Sequence, residues 1–132
     1  MTDSFRKVTG IGGIFFKAAK PKELTGWYEK HLGIAPNPYG YVAFEWREKD
    51  SPDTVGQTIW NPFPLDTKYF APSASPFMIN YRVADLDRLV EALSAEGVAV
   101  LDKKDDPSFG KFAWIMDPEG NRIELWEPPQ EP

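Results

Sequence analysis

The chain has 132 residues, 42% of them hydrophobic, enough for one packed domain and too few for two independent cores. Fifteen basic residues against twenty acidic ones leave a formal charge of −5, which argues against nucleic acid, whose phosphates need a basic face. With no cysteine there is no disulfide framework, no thiolate nucleophile and no Cys-ligated zinc. No apolar run reaches the length of a bilayer span and no signal-peptide core opens the sequence, so a cytoplasmic location without a membrane partner is expected.

The first ten residues are polar and are expected to fray. A strand is predicted over Ile11 to Ala18, opened by Gly12 and Gly13. Pro21 suits a first helical turn, and Leu24, Trp27, Tyr28 and Leu32 recur at helical spacing until Gly33 stops the segment. Tyr41 to Arg47 reads as a strand, Glu48 to Thr54 as a polar loop and Val55 to Trp60 as a further strand. Pro62, Pro64, Pro72 and Pro76 then argue against a helix or an interior strand, so residues 62–76 are read as a linker. Its Phe63, Tyr69 and Phe70 suit a flap over a cleft or a dimer contact.

Phe77 to Val83 is the next predicted strand, with Met78, Asn80 and Arg82 on one side. Asp85 is a suitable N-cap for a helix over Leu86 to Glu96, whose stripe is Leu86, Leu89, Val90 and Leu93 and whose stop is Gly97. Val98 to Leu101 reads as a strand, Asp102 to Gly110 as a charged loop and Phe112 to Met116 as another strand. The turn Asp117-Pro118-Glu119-Gly120-Asn121 follows, where proline presets φ and Gly-Asn accept a positive φ. In the strand leaving it, Ile123 and Leu125 share one face while Arg122, Glu124 and Trp126 share the other. If Asp117 opposes Asn121, then Met116 pairs with Arg122, Trp114 with Glu124 and Phe112 with Trp126.

The order β-α-β-β-β is thus read twice, about 65 residues apart, with module one near 11–61 and module two near 77–127. The fold expected is α+β: two βαβββ modules forming a curled mixed β-sheet around a cleft, with the helices outside.

Trp27-Tyr28-Glu29-Lys30-His31-Leu32-Gly33, Tyr81-Arg82-Val83-Ala84-Asp85-Leu86-Asp87 and the run Phe112 to Trp126 resemble the vicinal oxygen chelate superfamily. That superfamily holds glyoxalases, bleomycin-resistance proteins, extradiol dioxygenases and fosfomycin-modifying enzymes. The resemblance covers Ile11 to Pro128 and implies a homodimer. It also implies a divalent metal held by His, Gln or Glu from the first and last strands of both modules. Those positions fall on Gly13, Thr58 (Gln57 if the register slips), Met78 and Glu124, and only Glu124 matches. One carboxylate among Gly, Thr and Met does not make the shell that Zn, Ni, Fe(II) or Mn(II) needs, so no metal and no other cofactor is expected.

Glu124 therefore has two readings: a carboxylate neutralised by Lys17, Arg82 or Arg122, or an acceptor or general base for a ligand. Trp60, Trp114 and Trp126 either wall a ligand cleft or fill the space of a lost metal site. Phe15, Met78, Asn80 and Arg82 complete the candidate ligand contacts, and His31, the one histidine, is expected at a helix end away from them. The function expected is the binding of a small aromatic or amphipathic molecule in a Trp-lined cleft. The alternatives are a metal-dependent lyase, isomerase or dioxygenase with atypical ligands, or a metal-free acid/base enzyme using Glu124.

Overall fold

The computed structural model of the protein describes residues 7–129. In chain order these form β1 (Val8–Ala18), α1 (Pro21–Leu32), β2 (Val42–Glu48), β3 (Ser51–Pro64), β4 (Phe77–Val83), α2 (Leu86–Ala95), β5 (Val100–Asp106), β6 (Gly110–Met116) and β7 (Arg122–Glu127). All seven strands join one mixed sheet in the order β2-β3-β1-β4-β7-β6-β5, which does not close into a barrel. At its centre β1 and β4 run antiparallel, and each has a parallel partner outside it, β3 beside β1 and β7 beside β4. The two halves of the chain therefore contribute adjoining parts of one surface.

The helix signals behave as their chemistry dictates. Pro21 opens α1, and Gly33, at φ 71°, closes it by donating its N–H to the Glu29 carbonyl. The Asp85 side chain caps α2 by accepting from the Arg88 N–H at 3.1 Å. Leu86 and Leu89 of α2 pack with Val83, Ala113, Ile115 and Leu125 into one core on the helix side of the sheet. Phe15, Phe70, Met78 and Trp114 form a second core on the opposite side. Alternation along β4 and β7 feeds both: Val83 and Leu125 go to the first, Met78 and the carboxylate of Glu124 to the second side.

Several expected boundaries change. β1 begins at Val8, so residues 8–10 are paired and do not fray, while residues 1–6 lie outside the described residues. Glu48 and Ser51 pair directly, which turns the expected polar loop into a tight hairpin. β3 continues through Pro62 and Pro64 against β1. β2 stops at its Val42–Trp60 pair, so both prolines stand where β3 has a strand on one side only and costs no second ladder. The charged run Asp102 to Asp106, expected as a loop, is the outer part of β5, an edge strand for which exposed charge is normal.

The first half supplies three strands to the sheet and the second half four, so the β-α-β-β-β order expected of both modules is complete only in the second. After α1, Pro36 and Pro38 lack the N–H that a strand at the outer edge of β2 would need. That stretch instead turns around Asn37, whose side chain accepts from the N–H groups of Tyr39 and Tyr41.

Candidate functional site

The hairpin of β6 and β7 has the register expected from its turn: Met116 opposite Arg122, Trp114 opposite Glu124 and Phe112 opposite Trp126. Asp117 fixes that turn, since its carboxylate accepts from the N–H groups of Glu119 and Asn121 and from the Asn121 amide. Those bonds, the Asn121 backbone first, hold the Asp117 carboxyl below the usual carboxylate range. With the turn locked, Glu124 has no choice of face.

Glu124 is 2% exposed. Its Oε1 accepts from Asn80 Nδ2 at 2.6 Å, and its Oε2 accepts from Trp114 Nε1 at 2.9 Å and from the Tyr69 hydroxyl. The three partners come from β4, β6 and the proline-rich segment, and all are neutral donors. The cations once expected to neutralise it are used elsewhere. Arg82 pairs with Glu48 at 3.0 Å, Lys17 lies over the Phe70 ring, and Arg122 donates to the carbonyls of Tyr69 and Ala71. Burial pushes the Tyr69 phenol up, and the Glu124 charge and hydrogen bond push it further, far above its ordinary range.

Beside the carboxylate lies a cavity of about 250 Å³ lined mostly by apolar and aromatic side chains, among them Phe15, Ile59, Phe63, Tyr69, Phe112 and Trp126. Phe63 stacks on Tyr69 with centroids 5.5 Å apart, and Phe112 stacks on Trp126 at 6.4 Å. Gln57, Phe109 and Trp126 also border an outer groove of about 920 Å³, which reaches Glu45, Asp53 and Arg82.

Of the residues singled out from sequence, Phe15, Asn80, Glu124 and Trp126 line the inner cavity. Met78 and Trp114 pack behind it in the buried cluster. Arg82 borders the outer groove but is committed to Glu48 and to Thr9. Trp60 is a correction: it lies on the other face, against Phe16 and Tyr28 of α1, and does not wall the cavity. The parallel pairing of Gly13 with Ile59 puts Ile59 on the cavity side, so adjacent Trp60 and Thr58 point away. His31 is exposed in the last turn of α1 against Trp27. Tyr69 and Phe63 were legible only as an aromatic excess in the linker. Their contact with Glu124 depends on a long-range fold of that segment that no local pattern reveals.

The superfamily's metal can be tested against these side chains. Met78 and Gly13 offer no hard donor, Thr58 gives its hydroxyl to the Ile11 carbonyl on the far face, and Glu124 is engaged by three donors. Among the described residues no three His, Cys, Asp or Glu side chains converge. The donors present do not fit a divalent transition metal. Among the described residues, too, no helix is long and apolar enough to cross a membrane.

Known proteins give the fold a context. The methylmalonyl-CoA epimerase from Mycobacterium tuberculosis is similar at TM-score 0.62 and 23% identity, over 98% of this chain and 94% of that one. A Streptomyces coelicolor methylmalonyl-CoA epimerase variant in complex with 2-nitronate-propionyl-CoA is similar at TM-score 0.66 and 19% identity, over 93% of this chain and 99% of that one. A catechol 2,3-dioxygenase is similar at TM-score 0.54 and 21% identity, over 95% of this chain but only 43% of its own length. At these identities the likeness is one of fold. No curated protein sequence matches the chain. The profile of a family described as glyoxalase-like domain matches residues 13–126. This chain belongs to that glyoxalase-like family, within the vicinal oxygen chelate superfamily.

Proposed function

We propose that this protein binds a small aromatic or amphipathic molecule in the inner cavity, anchored by Glu124 and Asn80, where relatives would hold a metal. The observation that carries the reading is a nearly solvent-free carboxylate, fixed by three neutral donors, at the edge of an aromatic cavity. Burying that charge costs on the order of several kcal/mol, which the three donors offset while leaving one oxygen, Oε1, with a single partner. A body of rings supplies contact area and a small number of polar atoms supplies orientation, the usual make-up of a small-molecule site. Titration of intrinsic tryptophan fluorescence with a panel of aromatic and amphipathic compounds tests this, and silence across the whole panel would remove the reading.

The same carboxylate supports a second reading, a metal-free acid/base enzyme using Glu124. That reading would use the one acceptor position left on Glu124 Oε1, since three donors hold the rest of the carboxylate. A Glu124→Gln variant that still binds a compound but no longer turns it over would favour the enzyme. A metal-dependent reaction is the least supported, because the donor set does not fit; near-stoichiometric transition metal in protein purified without added metal would reverse that order. A homodimer belongs to the same proposal, supported by Phe44 and Val55 exposed on the β2–β3 hairpin. Light scattering of the purified protein tests it.

A further inference from the structure

We infer that the ligand of the inner cavity carries a protonated nitrogen (an amine, amidine or guanidine head on an aromatic body) that donates to Asn80 Oδ1 and Glu124 Oε1. This rests on the binding reading above and names its ligand class.

Two buried side-chain atoms among the described residues lack a hydrogen-bond partner, Asn80 Oδ1 and Arg122 Nε, and of these residues only Asn80 lines the inner cavity. Asn80 is 3% exposed, and its Oδ1 is buried without a hydrogen-bond partner. Its orientation is fixed by chemistry: a flipped amide would press Oδ1 against Glu124 Oε1, which now receives Nδ2 at 2.6 Å. Glu124 Oε1 has that one donor, and a carboxylate oxygen accepts about two. Both open positions at the cavity are therefore acceptors, and a ligand that brought only acceptors would leave them unpaired.

On the β1 side a glycine lets the Asn80 carboxamide reach the cavity wall. Gly12 borders the cavity, and a Cβ there would collide with Asn80 Oδ1 and lie 2.9 Å from the Trp126 ring. The close approach that this strand glycine permits is that of Asn80 and Trp126 themselves.

Charge points the same way. Glu124 accepts only from neutral donors; Arg82 is held by Glu48, and Arg122 lies outside the cavity lining, over the Tyr69 and Trp114 rings. A cation entering the cavity would pair with a carboxylate that burial keeps poorly screened. Aromatic rings around it add a cation–π contribution. The outer groove continues the sign: it is lined by Glu45 and Asp53, while its Arg82 is paired with Glu48. An anion would meet the same sign at the rim and at the floor.

Three probes of one shape separate the outcomes: 4-phenylbutylamine, 4-phenylbutanol and 4-phenylbutyrate, titrated against the wild-type chain by tryptophan fluorescence and calorimetry. The amine is expected to bind at least tenfold tighter than the other two. Glu124→Gln, checked for its fold by near-ultraviolet circular dichroism, is expected to erase that preference. Tyr69→Phe provides an independent arm. It removes the phenol bonded to Glu124 Oε2, so the carboxylate shares its charge with one donor fewer, and is expected to strengthen amine binding several-fold relative to the alcohol. Alcohol or carboxylate binding as tightly as the amine overturns the ligand class and leaves cavity binding standing. An unchanged or lower amine-to-alcohol ratio in Tyr69→Phe overturns the ligand class too. If none of the three binds, the binding reading fails and this inference with it.

Discussion

The Tyr69 hydroxyl donates to the Glu124 carboxylate across a sequence separation of 55 residues, and that bond turns the proline-rich segment into a wall of the cavity. Arg122 holds the same segment from beneath, donating to the Tyr69 and Ala71 carbonyls at 2.8 Å each while its guanidinium lies over the Tyr69 and Trp114 rings. A tether between modules would need none of this. The segment is a structural part of the site.

A pH dependence follows from the phenol. Its folded pKa is raised by burial, by the Glu124 charge and by the hydrogen bond, so the stabilisation is fully present below the ordinary value near 10 and drains away as pH climbs above it. Tyr69→Phe is expected to lose about 1–2 kcal/mol near neutral pH, the low end for a charge-assisted bond because the ring is partly exposed. Chemical denaturation of both proteins from neutral pH upward should show a constant gap that narrows once the pH passes about 10. A gap that widens there would mean the phenol is not protonated against the carboxylate.

Asn80→Asp should be severe and pH-dependent. It would set a second carboxylate against Glu124 Oε1, and two such groups in a buried site cannot both ionise. One carboxyl of the pair would titrate at a raised value, so the variant comes nearest to wild type at about pH 4 and loses stability as pH rises. Near pH 7 the loss is expected to reach about 3 kcal/mol or more. Urea denaturation at several pH values reads this out, and a loss independent of pH would break the link between Asn80 and the Glu124 charge.

Much of the fold was legible in local chemistry, and the reasons it stopped are physical. Pro21, Gly33, Asp85 and the Asp117 to Asn121 turn each act within a few residues, so both helices and the register of Trp114 against Glu124 could be read from the chain. β3 and β5 ran longer than expected because their prolines and charges sit where the sheet has a free side, and only topology says where that is. Trp60 was misplaced for a related reason: a one-residue slip between repeats swaps the faces of a strand. Tyr69 was out of reach altogether as a partner of Glu124, because its bond is tertiary.

Gly12→Ala tests whether the space beside Asn80 matters. The new methyl group would meet Asn80 Oδ1 and the Trp126 ring, and both neighbours belong to the packed site. Overpacking of this kind costs about 1–3 kcal/mol. Because the same methyl would displace Asn80 Oδ1 from its place at the cavity wall, binding of any cavity ligand should fall at least tenfold in protein that is still folded. Gly26, on exposed α1 with nothing near its added Cβ, is the control: Gly26→Ala should leave both binding and fold intact and stabilise the helix by about 0.5–1 kcal/mol. Equal effects from the two substitutions would deny Gly12 any special place.

Trp60 and Trp126 make the final contrast, because the repeat pattern treats them alike and the structure does not. Trp126 lines both the inner cavity and the outer groove and donates its Nε1 to the Phe109 carbonyl at 2.7 Å. Trp60 is packed against Tyr28 at 4.8 Å and Phe16 at 5.4 Å, with the sheet between it and the cavity. Trp60→Phe should therefore reduce stability by about 1 kcal/mol or more through lost packing, with ligand affinity unchanged within twofold. Trp126→Phe should weaken a cavity ligand about tenfold, or about 1.4 kcal/mol, through lost ring area and a loosened Phe109. Fluorescence settles the source of any quenching: the ligand-induced change should survive in Trp60→Phe and shrink in Trp126→Phe. The reverse pattern would place the ligand under α1, on the face opposite Glu124.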